Sequence, residues 1–232
     1  MKLSLIWSEE VRSRFPNLAV CAGAICNVKV ERQFAKVERL KESIMEKVRQ
    51  NYKTESLKDD STVRAYRDLY WSLGIDPTKT RPSGEALLRR VLNGNEIPSI
   101  LNVVDAYNLT SLETIIPLSG FDQDQVFPPL EIRFSNAQDE FLGIGMDKPA
   151  RITEKTLLLA DRKRILCIYP YRDAQATRIT EETHDMLIIG YGAPSVSRSQ
   201  LVDAVEKALA YIEKVTEGKR QTVNVFQSNQ QL

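Results

Sequence analysis

The chain has 232 residues, with 32 Lys and Arg set against 31 Asp and Glu for a formal charge of +1. Bulk charge therefore cannot drive polyanion binding, and any nucleic-acid contact needs a local basic face. At 42% hydrophobic and 27% charged residues, the composition is that of a soluble globular protein with a sizeable core. No apolar run approaches the ~20 residues that span a bilayer.

The first residues, Leu3-Ser-Leu-Ile-Trp7 before Glu9 and Glu10, are too briefly apolar for a secretory signal, so a cytoplasmic setting without membrane contact is expected. Residues 18–30 read as strand material interrupted by Gly23 and Asn27. Phe34, Val37, Leu40, Ile44, Met45 and Val48 then recur at helical spacing. Asp59-Asp60-Ser61 offers an N-cap to a second helix striped by Val63, Tyr66, Leu69, Tyr70 and Leu73 and stopped at Gly74. At this spacing Tyr66, Tyr70 and Trp71 are expected to be core residues rather than a base-stacking platform. Pro82 suits the first turn of a third helix, with Ala86, Leu87, Val91 and Leu92 as its buried stripe. Residues 100–118 mix apolar side chains with Asn102, Asp105, Asn108, Thr110 and Ser111, which need hydrogen-bond partners where buried.

Beyond Asp122 the period becomes that of strands. Leu130-Glu-Ile-Arg-Phe134 alternates, Thr156–Ala160 and Ile165–Tyr169 form a hairpin across Asp161-Arg-Lys-Arg164, and Met186–Ile189 is a buried strand. Ser197 and Gln200 make a capping box for a last helix carrying Leu201, Val205, Leu209 and Ile212. The expected organisation is one compact α+β unit: an N-terminal strand and helix extension (1–60) packed on a main unit (61–217), with a frayed tail (218–232).

Chemistry is restricted by what is scarce. Cys21, Cys26 and Cys167 lie in apolar stretches without a CxxC pair and read as buried, reduced thiols, and His184 is the single imidazole. No metal or cofactor is expected, and common nucleophilic devices have little to stand on. Three segments carry more polar residues than packing needs. One is the helix start Thr80-Arg81-Pro82-Ser83 with Arg89 beyond it, whose free N–H groups and cations suit a carboxylate or phosphate. The others are Asn102 to Ser111 and Tyr171 to Thr183, the latter with Arg172 and Asp173 as a candidate ion pair.

The ordered set Gly74-Ile-Asp-Pro77, Arg81-Pro-Ser83, Asn102-Val-Val-Asp105-Ala-Tyr-Asn108, Ser111-Leu112, Pro117-Leu-Ser-Gly-Phe-Asp122, Leu158-Leu-Ala-Asp161, Tyr171-Arg-Asp173 and Thr177-Arg-Ile-Thr180 resembles the B3/B4 domain of the phenylalanyl-tRNA synthetase beta subunit. It resembles free-standing B3/B4 proteins more closely still, over roughly residues 60–210. The resemblance implies a three-layer α+β fold, with helices flanking a β-sandwich of unusual topology. It also implies a site that receives the 3′ end of a transfer RNA and hydrolyses a wrong aminoacyl ester. That chemistry can proceed by positioning water against an activated ester, and it is not ligation.

On this reading Arg81 and Arg89 serve the RNA end, with Ser83 between them also binding substrate. Asn102, Asp105, Asn108, Ser111, Asp122, Arg172 and Asp173 line a substrate pocket, while Ser119, Gln175, Thr177 and Thr180 face the aminoacyl group and water. The chain departs from bacterial beta subunits in carrying Ser119 where they tend to carry His, and Gln175 where they carry a Glu suited to a tyrosine hydroxyl. The alternative is a non-catalytic pocket for an amino acid, a nucleotide or an RNA end.

Overall fold

The computed structural model describes residues 3–32 and 35–229. Phe34, expected to open a helical stripe, lies outside them, as do residues 1–2, 33 and 230–232. The chain opens with β1 (Leu5–Trp7), α1 (Glu9–Arg14) and β2 (Ala19–Cys26). Helices α2 (Ala35–Asn51), α3 (Ser61–Ser72), α4 (Ser83–Leu92) and α5 (Asn102–Thr114) follow. Then come β3 (Leu118–Asp122), β4 (Leu130–Phe134), β5 (Glu140–Phe141), β6 (Ala150–Arg151), β7 (Leu157–Ala160), β8 (Ile165–Ile168), β9 (Arg172–Asp173) and β10 (Met186–Tyr191). Helix α6 (Arg198–Val215) and strands β11 (Lys219–Arg220) and β12 (Asn224–Gln227) complete the order.

The strands form two larger sheets and a hairpin. The first sheet runs β1-β4-β7-β8-β9, with β1 parallel to β4 and its other pairs antiparallel. The second runs β11-β2-β10-β3, with β12 also paired to β2. Strands β5 and β6 pair with each other.

Side-chain alternation sorts the layers. A Cβ on Gly190 of β10 would meet Val205 of α6 at 2.8 Å, so this face of the second sheet receives the helix. From the opposite face Tyr191 meets Tyr169 edge-on, with ring centroids 4.8 Å apart, at the end of β8. The result is an α+β fold in three layers: α5 and α6, the second sheet, and the first sheet.

Local chemistry explains most element ends. Asp60 accepts from Thr62 N at 2.9 Å and Val63 N at 3.0 Å, capping α3. Ser197 and Gln200 make the expected capping box on α6. The mixed stretch after residue 100 becomes α5, buried on nearly every side. Its hydroxyls turn inward, Thr110 Oγ1 donating to Ala106 O at 3.1 Å and Thr114 Oγ1 to Thr110 O at 2.8 Å.

Several expectations need correction. Gly23 does not interrupt β2: a Cβ there would meet Leu209 and Val205 at 2.8 and 2.9 Å, so glycine lets α6 close on the strand. Asn27, at φ 56°, is where the strand turns away. Trp71 is 57% exposed, because it lies off the face that buries Tyr66 and Tyr70. Ala86 is exposed, and Gly84 and Glu85 are buried in its stead. Within the tail expected to fray, residues 219–220 and 224–227 instead pair with β2, and Ser228 Oγ donates to Phe15 O at 2.6 Å. Strand β2 itself, from the expected N-terminal extension, is interior to the second sheet.

Candidate functional site

The segment 171–177 distributes its side chains to separate places. Asp173 and Arg172 are neighbours on a strand, so they leave opposite faces of the first sheet. Asp173 turns toward the second sheet, where Ser119 Oγ of β3 donates to its Oδ1 at 2.5 Å. Cys167 is its register partner on β8. Burial raises the Asp173 carboxyl to about 6, against the lowering effect of the Ser119 and Cys167 hydrogen bonds. Burial likewise pushes the Cys167 thiol and the Tyr191 phenol far above their ordinary values. The ring of Tyr107 lies over Gly120, whose added Cβ would stand 2.6 Å from Tyr107 Cε1. Tyr70 Oη, Tyr191 Oη and Thr177 Oγ1 are buried without hydrogen-bond partners among the described residues.

Gln175 begins a short 3-10 turn and faces a different place, a cavity of about 550 Å³. Arg133, Arg162, Lys163 and Arg164 also line it, as do Asp139, Glu140 and Asp161. Two of its acids, Asp139 and Asp161, are engaged within the fold, while Glu140 is exposed. Asp139 holds Arg133 through contacts of 2.7 and 2.9 Å, which keeps the Asp139 carboxyl below its ordinary range. Asp161 accepts the backbone N–H groups of Lys163 and Arg164 at 2.7 and 2.8 Å and of Phe127 at 2.9 Å. Lys163 Nζ rests over the Phe127 ring at 3.3 Å. This turn is the charged hairpin loop of the sequence; its role as a cavity wall was hidden, because neither Arg133 nor Asp139 adjoins it in the chain.

Arg172 and Thr80 share a hollow of about 380 Å³ on the far side of Phe141, which lines both spaces. Arg81, one residue on, is exposed, and Ser83 is the half-buried first residue of α4. Arg89 is tied elsewhere: its Nε donates to buried Glu85 at 2.6 Å, and Arg67 grips the same carboxylate at 2.8 and 2.5 Å.

The α5 residues do not join these spaces. Asn102 accepts from Glu31 N at 3.0 Å and Val103 N at 2.9 Å and donates to Lys29 O at 2.9 Å, so its amide stitches α5 to the segment after β2. Asp105 accepts from Ile100 N at 3.0 Å, and burial raises its carboxyl to about 6. Asn108 is half-buried one turn on, and Ser111 is buried. Asp122 accepts from Thr183 Oγ1 at 2.9 Å and from Asp124 N at 3.1 Å. Thr180 receives Glu182 N at 3.3 Å. The expected single pocket is thus divided: β3 meets β9 inside the sandwich, Gln175 enters one outer cavity, and Thr80 and Arg172 share the other. Among the described residues no group of three or more His, Cys, Asp or Glu can hold a metal, and no helix is long and apolar enough to cross a membrane.

Comparison with known proteins adds ancestry. The family model described as the B3/4 domain matches residues 65–221. The phenylalanine–tRNA ligase beta subunit of Nitrosococcus oceani is 30% identical over 124 residues, 53% of this chain and 15% of that protein. That of Haemophilus ducreyi is 29% identical over 92 residues, 40% of this chain and 11% of that protein. The match thus spans a small part of each curated relative. An N-terminal fragment of the phenylalanyl-tRNA synthetase beta subunit from Pyrococcus horikoshii aligns with 95% of this chain and 50% of its own length, with a TM-score of 0.52 at 12% identity, a likeness of fold. With two thirds of its length matched by the family model, this chain belongs to the B3/4 domain family.

Proposed function

We propose that the chain binds the 3′ end of a transfer RNA in the cytoplasm and hydrolyses a mischarged aminoacyl ester there, in trans. The observation that carries this reading is Gln175 in a cavity of about 550 Å³ rimmed by Arg162, Lys163 and Arg164. Cations on such a rim attract the phosphates of a single-stranded end, while a neutral amide exchanges hydrogen bonds with a hydroxyl or a water. An aminoacyl ester is already activated, so an oriented water can suffice for its hydrolysis. Incubation with a panel of mischarged transfer RNAs tests it. Ester loss faster than in buffer for at least one of them, slowed by Gln175→Ala, is the expected result; no acceleration with any rejects the hydrolase.

A second reading, a binding protein without turnover, is favoured by the Ser119–Asp173 pair. Ser119 is 4% exposed and hydrogen-bonded to Asp173, and neither residue lines the Gln175 cavity. Saturable binding of a non-hydrolysable 3′-aminoacylamido-adenosine, with no turnover of any ester, would select this reading.

A further inference from the structure

We propose a second ligand site, for an apolar carboxylate that carries no ammonium group, in the hollow of about 380 Å³ on the outer face of the first sheet. The floor is apolar. Phe141 and Ile152 belong to a small hydrophobic cluster against which Ile168 and Met146 pack, separate from the main core. Two guanidiniums, Arg172 of β9 and Arg151 of β6, stand at its border. Neither makes a salt bridge among the described residues. Glu140 is opposite Arg151 in the hairpin, yet it lines the other cavity.

Arg172 is already positioned. Its stem crosses Gly143, where an added Cβ would stand 2.5 Å from Cδ, and its guanidinium lies 5.3 Å from the Tyr171 ring centroid. A planar fork held in this way matches a carboxylate with little ordering left to do.

The class of ligand follows from what lines the hollow. Cations and apolar carbon call for an anionic head on an apolar body. Among the described lining residues there is no Asp or Glu, so an ammonium group would sit beside two guanidiniums with no carboxylate in the lining to pair it. A free amino acid is thereby disfavoured. The volume lies near the lower end of the roughly 300–1,000 Å³ common for small-molecule sites, which suits one ring or a short branched chain better than a nucleotide. The site does not depend on the reading given to the Gln175 cavity.

Calorimetric titration of the full chain with phenylacetate tests it. Saturable binding is expected, with phenylalanine and adenosine monophosphate each weaker by about tenfold or more, and with Arg172→Gln weakening phenylacetate by about tenfold, as loss of one charge-assisted contact does. Arg151→Gln, at an exposed hairpin position, is expected to weaken it in the same direction, so the test survives if the Arg172 variant fails to fold. The proposal is overturned if phenylacetate gives no saturable heat, if phenylalanine or the nucleotide binds as tightly, or if folded Arg151→Gln binds phenylacetate as the parent does. Transfer-RNA binding and ester loss do not enter this readout, so either proposal can fail without the other.

Discussion

Ser119 Oγ donates to Asp173 Oδ1 over 2.5 Å and so links β3 to β9, the last strands of two different sheets. The bond crosses the sandwich at a place where Cys167 and Tyr191 are also held protonated by burial. An ionised carboxylate there is poorly solvated, which sets its pH behaviour.

Burial raises Asp173 from 3.8 to about 6 in the folded chain. Between pH 4 and 6 the folded state therefore holds a proton that the unfolded chain has released, and this group's contribution to stability falls as pH rises through that window. Asp173→Asn keeps an acceptor for Ser119 and has no charge to desolvate. Urea unfolding should show the variant gaining on the parent as pH rises from 4 to 7.5, by on the order of 1–3 kcal/mol. A stability difference that stays constant over this range would refute the assignment.

Glu85 titrates in the opposite sense. It is 1% exposed and receives Arg67 and Arg89; although burial alone raises its carboxyl, the two guanidiniums together bring it below the ordinary range. Its contribution is present above the unfolded value and is lost as pH falls through the folded one. Glu85→Gln should destabilise by roughly 3–5 kcal/mol near pH 7, because two partly buried cations lose their carboxylate. The deficit should shrink as pH falls below the unfolded carboxyl's value and through the lowered folded one, where the parent's acid takes up a proton, and denaturant midpoints across an acid series measure it.

Much of the architecture was legible because local signals and burial agree: Asp60 caps α3, Ser197 and Gln200 box α6, and β4 alternates as it should. What escaped was set by partners distant in the chain. Strand β12 is only four residues long, with polar residues on both sides of Val225 and Phe226, and is ordered by hydrogen bonds to β2 about two hundred residues earlier. Gly23 looks like a break until α6 is seen resting on it. The polar residues of α5 announced that something needed their hydrogen bonds, yet nothing in their spacing distinguishes a ligand from the backbone of Lys29 and Glu31, which is what Asn102 meets. Arg172 and Asp173, adjacent in the chain, read as a pair lining one pocket, and only their place on β9 shows that they leave opposite faces of the sheet.

Gly84 lies in the first turn of α4, where helix propensity alone favours alanine by about 1 kcal/mol. The structure reverses that preference, because an added Cβ would collide with the backbone carbonyl of Ile115. Ile115 closes α5 in the left-handed region at φ 65°, so its backbone has little freedom to retreat. Gly84→Ala should therefore destabilise by about 1–3 kcal/mol, as overpacking does. Thermal unfolding against the parent measures it, and an unchanged or raised Tm would show that α4 can slide away from α5.

The rim of the Gln175 cavity yields a prediction about salt. Asp161 devotes its carboxylate oxygens to backbone N–H groups of Phe127, Lys163 and Arg164, which holds the turn from which Arg162, Lys163 and Arg164 line the cavity. If phosphates of a single-stranded RNA end meet these cations, each contact releases condensed counterions, and removing one cation should lower the slope of log K against log salt by about 0.7. Lys163→Gln and Arg164→Gln, measured by fluorescence anisotropy with a labelled 3′-terminal RNA, should each show that drop, and together about twice it. Asp161→Asn should instead loosen the turn and weaken binding while leaving every cation in place, so its slope should change much less than its affinity. Parallel slopes for the parent and both cation variants would remove the RNA end from this cavity.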